Sequence, residues 1–356
     1  MSAPPSLAQA LVAWQLQHGR HELPWQNTHD AYRIWLSEIM LQQTQVVTVI
    51  DYYARFLARF PTVQDLAHAA QDEVLALWAG LGYYSRARNL HACARRVVEE
   101  FDGEFPRTPE QLQTLPGIGA STAAAIAAFA YAVRSPILDG NVKRILSRAY
   151  GIEDTPSAQT DKKLWALAWE TLLNEHDAQA LGLPLDNAVR AYTQGVMDLG
   201  AQICTRTQPQ CARCPWQTSC AAFAHNATER IPARKVPVAV KELHFDWYIY
   251  RYGQCIWLEQ QPERGIWAKL WTFPTQTRLD NADAQKLSPL KHRLTHRQLY
   301  IQPHLIELNE RQMQQIERAA SGRWLDLNES SFSLALPKPA EQLLRVLGRA
   351  DLLENG

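Results

Sequence analysis

Two textures divide this chain, and they limit its fold more than any other feature. Up to about residue 223, apolar residues recur near the helical period in segments 7–17, 31–60, 71–81, 87–101, 121–132 and 162–173. The breaks between segments carry Pro or Gly: Pro61, Gly80-Leu81-Gly82, Pro106 with Pro109, and Pro116-Gly117. No β-rich stretch interrupts this region. The polar, Pro-containing stretch 229–241 then suits a linker. After it, residues 245–252, 255–258 and 299–308 are short runs of aromatic and β-branched residues, which read as strands. Segments 310–320 and 339–347 are amphipathic and read as helices. The expectation is an all-α domain over 1–228, a linker over 229–241 and a smaller α+β domain over 242–350. A chain of 356 residues is long enough for two separate cores. No internal repeat or low-complexity tract appears.

Composition narrows the function classes. Hydrophobic residues make up 46% and charged residues 20%, which is globular and not the signature of disorder. No apolar run approaches the ~20 residues of a membrane span, and residues 1–13 lack a secretory signal pattern, so a cytoplasmic, membrane-free protein is expected. The 36 basic and 36 acidic residues cancel. Residues 1–228 hold 18 basic against 21 acidic side chains and residues 229–356 hold 18 against 15, so neither part is a strongly basic nucleic-acid binder. A DNA-binding face would need its positive charge gathered locally. Two runs offer this, Arg86, Arg88, Arg95 and Arg96, and Lys143, Arg144 and Arg148; the alternative is ordinary solvated helix faces.

Four of the six cysteines lie in one short loop, Cys204, Cys211, Cys214 and Cys220, spaced C-x6-C-x2-C-x5-C. Four thiolates so close in sequence can close around one soft metal centre, either a structural zinc or an iron–sulfur cluster. Zinc sites usually show two tight pairs across a longer loop, so the uneven spacing favours iron–sulfur. No acid or base pattern adjoins the loop, which suits a structural staple. Cys93 and Cys255 stand alone and read as small buried hydrophobes.

Three further features carry chemistry. Leu115-Pro116-Gly117-Ile118-Gly119 sits between two helical segments, where glycines uncover backbone N–H groups and a helix start favours an anion. Such a hairpin can grip a DNA phosphate, or simply turn the chain. Some twenty residues on, Asp139 in Leu138-Asp139-Gly140-Asn141-Val142-Lys143-Arg144 precedes a helix and can be its N-cap. Glu38 lies in a helical run among Trp35, Leu36, Ile39, Met40 and Leu41. A glutamate in an apolar pocket holds its proton near neutral pH, whereas a carboxylate given hydrogen-bond donors stays ionised; that pair can break a glycosidic bond.

Together these motifs resemble the helix–hairpin–helix DNA glycosylase superfamily with an iron–sulfur loop. LPGIGxxTAxAI, LDGNVKR and the four cysteines follow in the order and spacing of the endonuclease III-like proteins. SEIMLQQTQV, GLGYYSRARNL and the appended C-terminal domain are similar to the MutY-type adenine DNA glycosylase branch. The resemblance implies an all-α helix–hairpin–helix glycosylase domain with a 4Fe-4S loop over 204–220, plus a Nudix-like lesion-recognition domain. It implies excision of adenine opposite 8-oxoguanine or guanine in double-stranded DNA, by a protein expected to be a monomer.

The site residues it implies are specific. Glu38 is similar to the general acid that protonates adenine, Asp139 to the carboxylate that stabilises the oxocarbenium ion, and Asn141 to a polar helper. Gln42, Gln43, Thr44 and Tyr83 are similar to residues wedged into the duplex during base flipping. Gln26 and Gln194 are similar to residues around the adenine, and Gly117, Gly119 and Ser121 belong to the hairpin. In the lyase branch a lysine stands where this chain has Ser121, and a hydroxyl cannot form an imine. A monofunctional glycosylase is therefore expected. In the C-terminal domain GIWAKLWTFP (265–274) is similar to a family stretch, no Nudix box is present, and no pyrophosphatase activity is expected. The recognition loop, often Phe-Ser-His, is Leu294-Thr295-His296 here, which keeps a hydroxyl and weakens stacking. Segment 174–187 is longer than the family pattern and reads as a surface loop.

Overall fold

The computed structural model describes residues 5–233, 239–279, 283–328 and 334–348. Part of the 229–241 linker and the end of the 242–350 domain lie outside the described residues. The chain divides into two compact units: Met1–His68 with Asn89–Val236, and Ala69–Arg88 with Pro237–Gly356.

Helices account for nearly all regular structure before residue 225: α1 Leu7–His18, α2 Ala31–Leu41, α3 Val46–Arg59, α4 Val63–His68, α5 Gln71–Leu77, α6 Tyr84–Phe101, α7 Pro109–Leu112, α8 Ala120–Tyr131, α9 Gly140–Tyr150, α10 Ala158–Glu170, α11 Glu175–Ala180, α12 Leu185–Asp198 and α13 Ala221–Ala224. Caps set many of their starts. Ser6 and Gln9 form a capping box at α1, and Asp30, Thr108, Asp139 and Ser157 accept backbone N–H groups at α2, α7, α9 and α10. The core of the first unit gathers Leu11, Val12, Ala124, Ala125, Ala128, Ile145, Leu146 and Leu199. The run of buried alanines Ala123–Ala128 in α8 lets α2 and α12 approach it closely.

Segment 31–60 is not one helical run. It breaks at Gln42–Gln45, where Gln43 adopts a left-handed φ of 57° and Thr44 N–H donates to the Leu41 carbonyl. Neither Pro nor Gly marks this turn. Segment 174–187 is not a surface loop. It forms α11, with Asn174 and Asp177 in a capping box, and leads into α12. Asp177 is buried and also accepts from the Ser6 hydroxyl at 2.8 Å.

The second unit is a mixed sheet with helices on both faces. Its strands are β1 Lys241–Tyr252, β2 Cys255–Gln260, β3 Trp271–Thr272, β4 Gln285–Lys286, β5 Leu290–Leu294, β6 Arg297–Glu307 and β7 Gly322–Asp326. The order is β3-β2-β1-β6-β4, with β5 beside β6 and β7 beside β2. β1 and β6 run parallel in register from Lys241↔Arg297 to Arg251↔Glu307, and the other pairs are antiparallel. Alternation sends Trp247 and Ile249 to a core that takes Leu343, Leu344 and Leu347 of α15 (Lys338–Leu347). Tyr250 and Ile306 face the other way, toward Ile316 of α14 (Glu310–Ala319). The short strands β3, β4, β5 and β7 had no sequence signal.

Residues 69–88 group with the sheet, although their helical texture matches the first domain. Tyr84 Oη donates to the Leu336 carbonyl at 2.9 Å, Arg88 Nη1 to the Ala268 carbonyl at 2.9 Å, and Gln260 Nε2 to Asp72 at 3.1 Å. Among the described residues no helix is long and apolar enough to cross a membrane.

Candidate active site

Glu38 is half-buried on α2, and its sequence neighbours Trp35, Leu36, Ile39 and Met40 are all at most 2% exposed. With Ile34, Ser37 and Leu41 it lines a cavity of about 360 Å³ in the first unit, walled also by Trp25, Gln26, Arg190 and Gln194. Burial pushes the Glu38 carboxyl up to about 8, and the negative charge of Asp139 adds to the shift. Glu38 therefore holds its proton at neutral pH.

Asp139 is exposed at the N-cap of α9, where one carboxylate oxygen accepts from Asn141 N at 2.9 Å and Val142 N at 2.8 Å. Those two bonds make Asp139 the cap of α9. Ser121 holds the approach to this carboxylate: its hydroxyl accepts from Leu138 N at 3.0 Å. The Asn141 amide oxygen accepts from Arg144 Nη2 at 3.0 Å, and Arg144 also donates to the Gly200 and Cys204 carbonyls.

The hairpin turns at Pro116-Gly117, with Ile118 N–H donating to the Leu115 carbonyl and Gly117 at a φ of 78°. That is type II turn chemistry, which calls for glycine. A Cβ on Gly117 would lie 2.9 Å from Asn89 Cβ, whereas one on Gly119 would meet nothing within 4 Å. Gly119 precedes α8 at an ordinary φ of −88°. Nearby, Gln43 is exposed and Gln42 Nε2 donates to Thr122 Oγ1 at 3.4 Å, while Thr44 Oγ1 donates to the Gln42 carbonyl.

The two basic runs are split between buried and solvated side chains: Arg95 is exposed on α6, whereas Arg86 and Arg148 are buried. Arg86 is buried over the Trp78 ring, and Arg96 pairs with Glu100. Lys143 pairs with Asp161, while Arg148 is buried and donates to the carbonyls of Thr205, Arg206 and Ile231. The buried arginines Arg86 and Arg148 fasten backbone.

Arg148 also donates to Cys204 Sγ at 3.4 Å, and Cys220 Sγ lies 3.4 Å from the Arg148 carbonyl. The four cysteines are unbridged and half-buried, and Cys204 and Cys214 pack on the first unit's core. Burial raises the Cys211 and Cys214 thiols, Cys214 to about 12, and charge on neighbouring cysteines adds to both. Among the described residues no three His, Cys, Asp or Glu side chains are set as a metal-binding group. The donor set, four half-buried thiols on one short loop with no carboxylate among them, fits a soft iron–sulfur centre.

In the second unit Tyr83 is exposed with a left-handed φ of 48°, and its hydroxyl meets Thr295 Oγ1 at 3.3 Å. Thr295 and His296 form the exposed tip of the β5–β6 hairpin. Two residues around the cavity escaped the sequence reading. Asp198 is fully buried behind the wall, and Arg20 lines the wall and pairs with it at 2.7 Å. The only signal was the position of Asp198 one helical turn after Gln194.

A helical hairpin, a desolvated acid at a cavity and a nearby carboxylate are the parts of a base-excision DNA glycosylase, and comparison supports that class. The model of the HhH-GPD superfamily of base excision DNA repair proteins matches residues 36–170, and the NUDIX domain model matches 247–346. The solved structure of a thermostable thymine-DNA glycosylase shares the fold of the first part, with a TM-score of 0.52 and 24% identity over 61% of this chain and 95% of that one. The adenine DNA glycosylase of Buchnera aphidicola subsp. Schizaphis graminum is 35% identical over 353 residues, covering 95% of this chain and 98% of the relative. The Homo sapiens adenine DNA glycosylase is 44% identical over 234 residues, covering 63% of this chain and 40% of the relative. The chain belongs to the adenine DNA glycosylase family.

Proposed function

We propose that this protein removes adenine from double-stranded DNA where it stands opposite 8-oxoguanine or guanine, as a monofunctional glycosylase. The observation that carries the reading is Glu38, a glutamic acid still protonated at neutral pH at the wall of a cavity, beside the charge of Asp139. Adenine leaves the base stack and enters the cavity. Glu38 gives its proton to the adenine ring nitrogen N7, which makes the base a better leaving group as the C1′–N9 bond breaks and its electrons stay with adenine. Asp139 stabilises the positive charge left on the sugar, and Asn141 supports it. Water then adds to C1′ and releases a proton, which replaces the one Glu38 gave. The products are adenine and an abasic site.

Ser121 is bound to the Leu138 backbone and offers no amine to the sugar, which supports hydrolysis over lyase chemistry. Gln43, Gln42, Thr44 and Tyr83 are assigned to the duplex beside the flipped base, and Thr295 and His296 to the opposite, oxidised base. Cys204, Cys211, Cys214 and Cys220 would hold a 4Fe-4S cluster whose contribution is to cross-link the loop that Arg144 and Arg148 fasten to α9.

The deciding experiment is a single-turnover assay on duplexes carrying adenine opposite 8-oxoguanine. Abasic sites that yield strand breaks only after alkali, with no protein–DNA adduct trapped by borohydride, are the expected result. Breaks without alkali, together with a trapped adduct, would overturn the monofunctional reading.

The hairpin gives a second expectation. Gly119→Ala places a methyl group in open space, so stability should stay within about 0.5 kcal/mol of the parent. DNA affinity should nevertheless fall about tenfold, because the methyl group blocks close approach of a phosphate. Gly117→Ala should instead destabilise the fold by about 1–2 kcal/mol through its left-handed φ, with the close contact to Asn89 Cβ adding to the cost. Thermal melts and fluorescence anisotropy on the two variants separate these effects.

A further inference from the structure

Behind the cavity wall, one buried carboxylate gathers three donors. Asp198 is 0% exposed. Its Oδ1 accepts from Arg20 Nε at 2.7 Å and from Gln194 Nε2 at 2.8 Å, and its Oδ2 accepts from the Arg20 backbone N–H at 2.8 Å. Gln194 and Asp198 are one turn apart on α12, so their side chains share a face. Gly19 makes room for the group, since a Cβ there would lie 2.9 Å from Asp198 Oδ2.

A glutamine side chain has a donor end and an acceptor end of nearly equal size, and only its surroundings decide which end faces a ligand. A carboxylate engaged with three donors can only accept. The Nε2 end of Gln194 must therefore turn to Asp198, which leaves the Oε1 end at the cavity wall that Gln194 lines. Among the described residues no donor reaches that oxygen. Gln26, another amide at the wall, is held at both ends by backbone: its Nε2 donates to the Arg20 carbonyl and its Oε1 accepts from Leu23 N–H. Gln194, unlike Gln26, is held through its donor end alone.

We propose that Asp198 is a positioning residue for base selection: it fixes the Gln194 amide so that an acceptor faces the cavity, favouring a purine with an amino group at C6 and opposing one with a C6 carbonyl. Adenine offers a donor at that position, whereas guanine and hypoxanthine offer an acceptor. An acceptor facing an acceptor leaves both groups desolvated and unpaired, which is the stronger form of rejection. Arg20 keeps Asp198 in place from the other side. The inference rests on the cavity being the adenine site.

The test compares single-turnover rates of the full-length protein on duplexes with deoxyadenosine or deoxyinosine opposite the same partner base. In Asp198→Asn the carboxamide can accept or donate, so Gln194 is free to turn. The adenine-to-hypoxanthine rate ratio should fall about tenfold or more, with hypoxanthine gaining relative to adenine. In a Gln194→Leu background, Asp198→Asn should change the ratio less than about twofold, because the effect passes through the amide. Equal loss for both bases in Asp198→Asn, or an undiminished change in the Gln194→Leu background, would overturn the proposal. Should Asp198→Asn fail to fold, Gln194→Leu alone must still lower the ratio, and an unchanged ratio there overturns it too. Glu38→Gln run alongside separates the two readings. Retained adenine excision in that variant means the cavity assignment fails; loss of excision with an unmoved ratio in Asp198→Asn means only the Asp198 inference fails.

Discussion

Glu38→Gln should lower the single-turnover rate of adenine release by about a thousandfold, the middle of the range for general acids, while duplex binding persists. Glutamine keeps the shape and removes the transferable proton. The pH profile of the parent protein should carry the same signature. With the carboxyl pushed up to about 8, the rate should be flat through neutral pH and fall about tenfold per unit well above 8, as the acid loses its proton. In Glu38→Gln the residual rate should lack that limb. An unperturbed glutamate would instead give a rate falling from about pH 4.5 upward, and that profile would refute the role assigned to Glu38.

The same substitution should move stability the opposite way to activity. The folded protein keeps the Glu38 proton between pH 4.5 and about 8, whereas the unfolded chain has released it. The folded state thus binds more protons in that window, and its stability falls as pH rises through it. The ceiling on this loss is about 5 kcal/mol, reduced by whatever water enters the cavity. Glu38→Gln has no such titration. It should melt higher than the parent at pH 8, with the gap closing toward pH 5, in thermal melts across that range. An inactive variant whose stability advantage over the parent grows with alkalinity is the mark of a desolvated acid kept for chemistry.

Asp139→Asn should cost about a hundred- to a thousandfold in the same assay, with little change in stability. The reason lies in its two roles. As N-cap of α9, Asp139 accepts two backbone N–H bonds, which an asparagine oxygen can also accept, and Asn and Asp cap about equally well. As stabiliser of a cationic sugar, it works through its charge, which asparagine lacks. Asp139→Ala should lose both, adding about 1 kcal/mol of destabilisation to the loss of rate. If Asp139→Asn excises adenine at the parent's rate, the carboxylate is a cap and nothing more.

Local patterns made much of this protein legible. The capped α9, the glycine hairpin and the long strands β1, β2 and β6 follow from neighbours in sequence, because helix period, strand alternation and turn chemistry act over a few residues. The acid at Glu38 was also legible, since the apolar residues around it in α2 announce a dry surrounding. The turn at Gln42–Gln45 was not, as it uses a left-handed glutamine in place of Gly or Pro. Nor was the helix α11, whose capping box was read as part of a loop.

What the chain determined by itself is therefore its local grammar: helices then strands, an exposed type II turn, four clustered thiols and two carboxylates of contrasting neighbourhood. Only the tertiary structure decided which groups act on one another. It set the charge of Asp139 against Glu38 across a hundred positions of sequence, and it made Arg144 and Arg148 fasteners for the cysteine loop. It also put Asp198 behind Gln194, with Arg20 from the far end of the chain completing the pair. Electrostatic coupling and burial depend on distance in space, and no short-range pattern in the sequence records that distance.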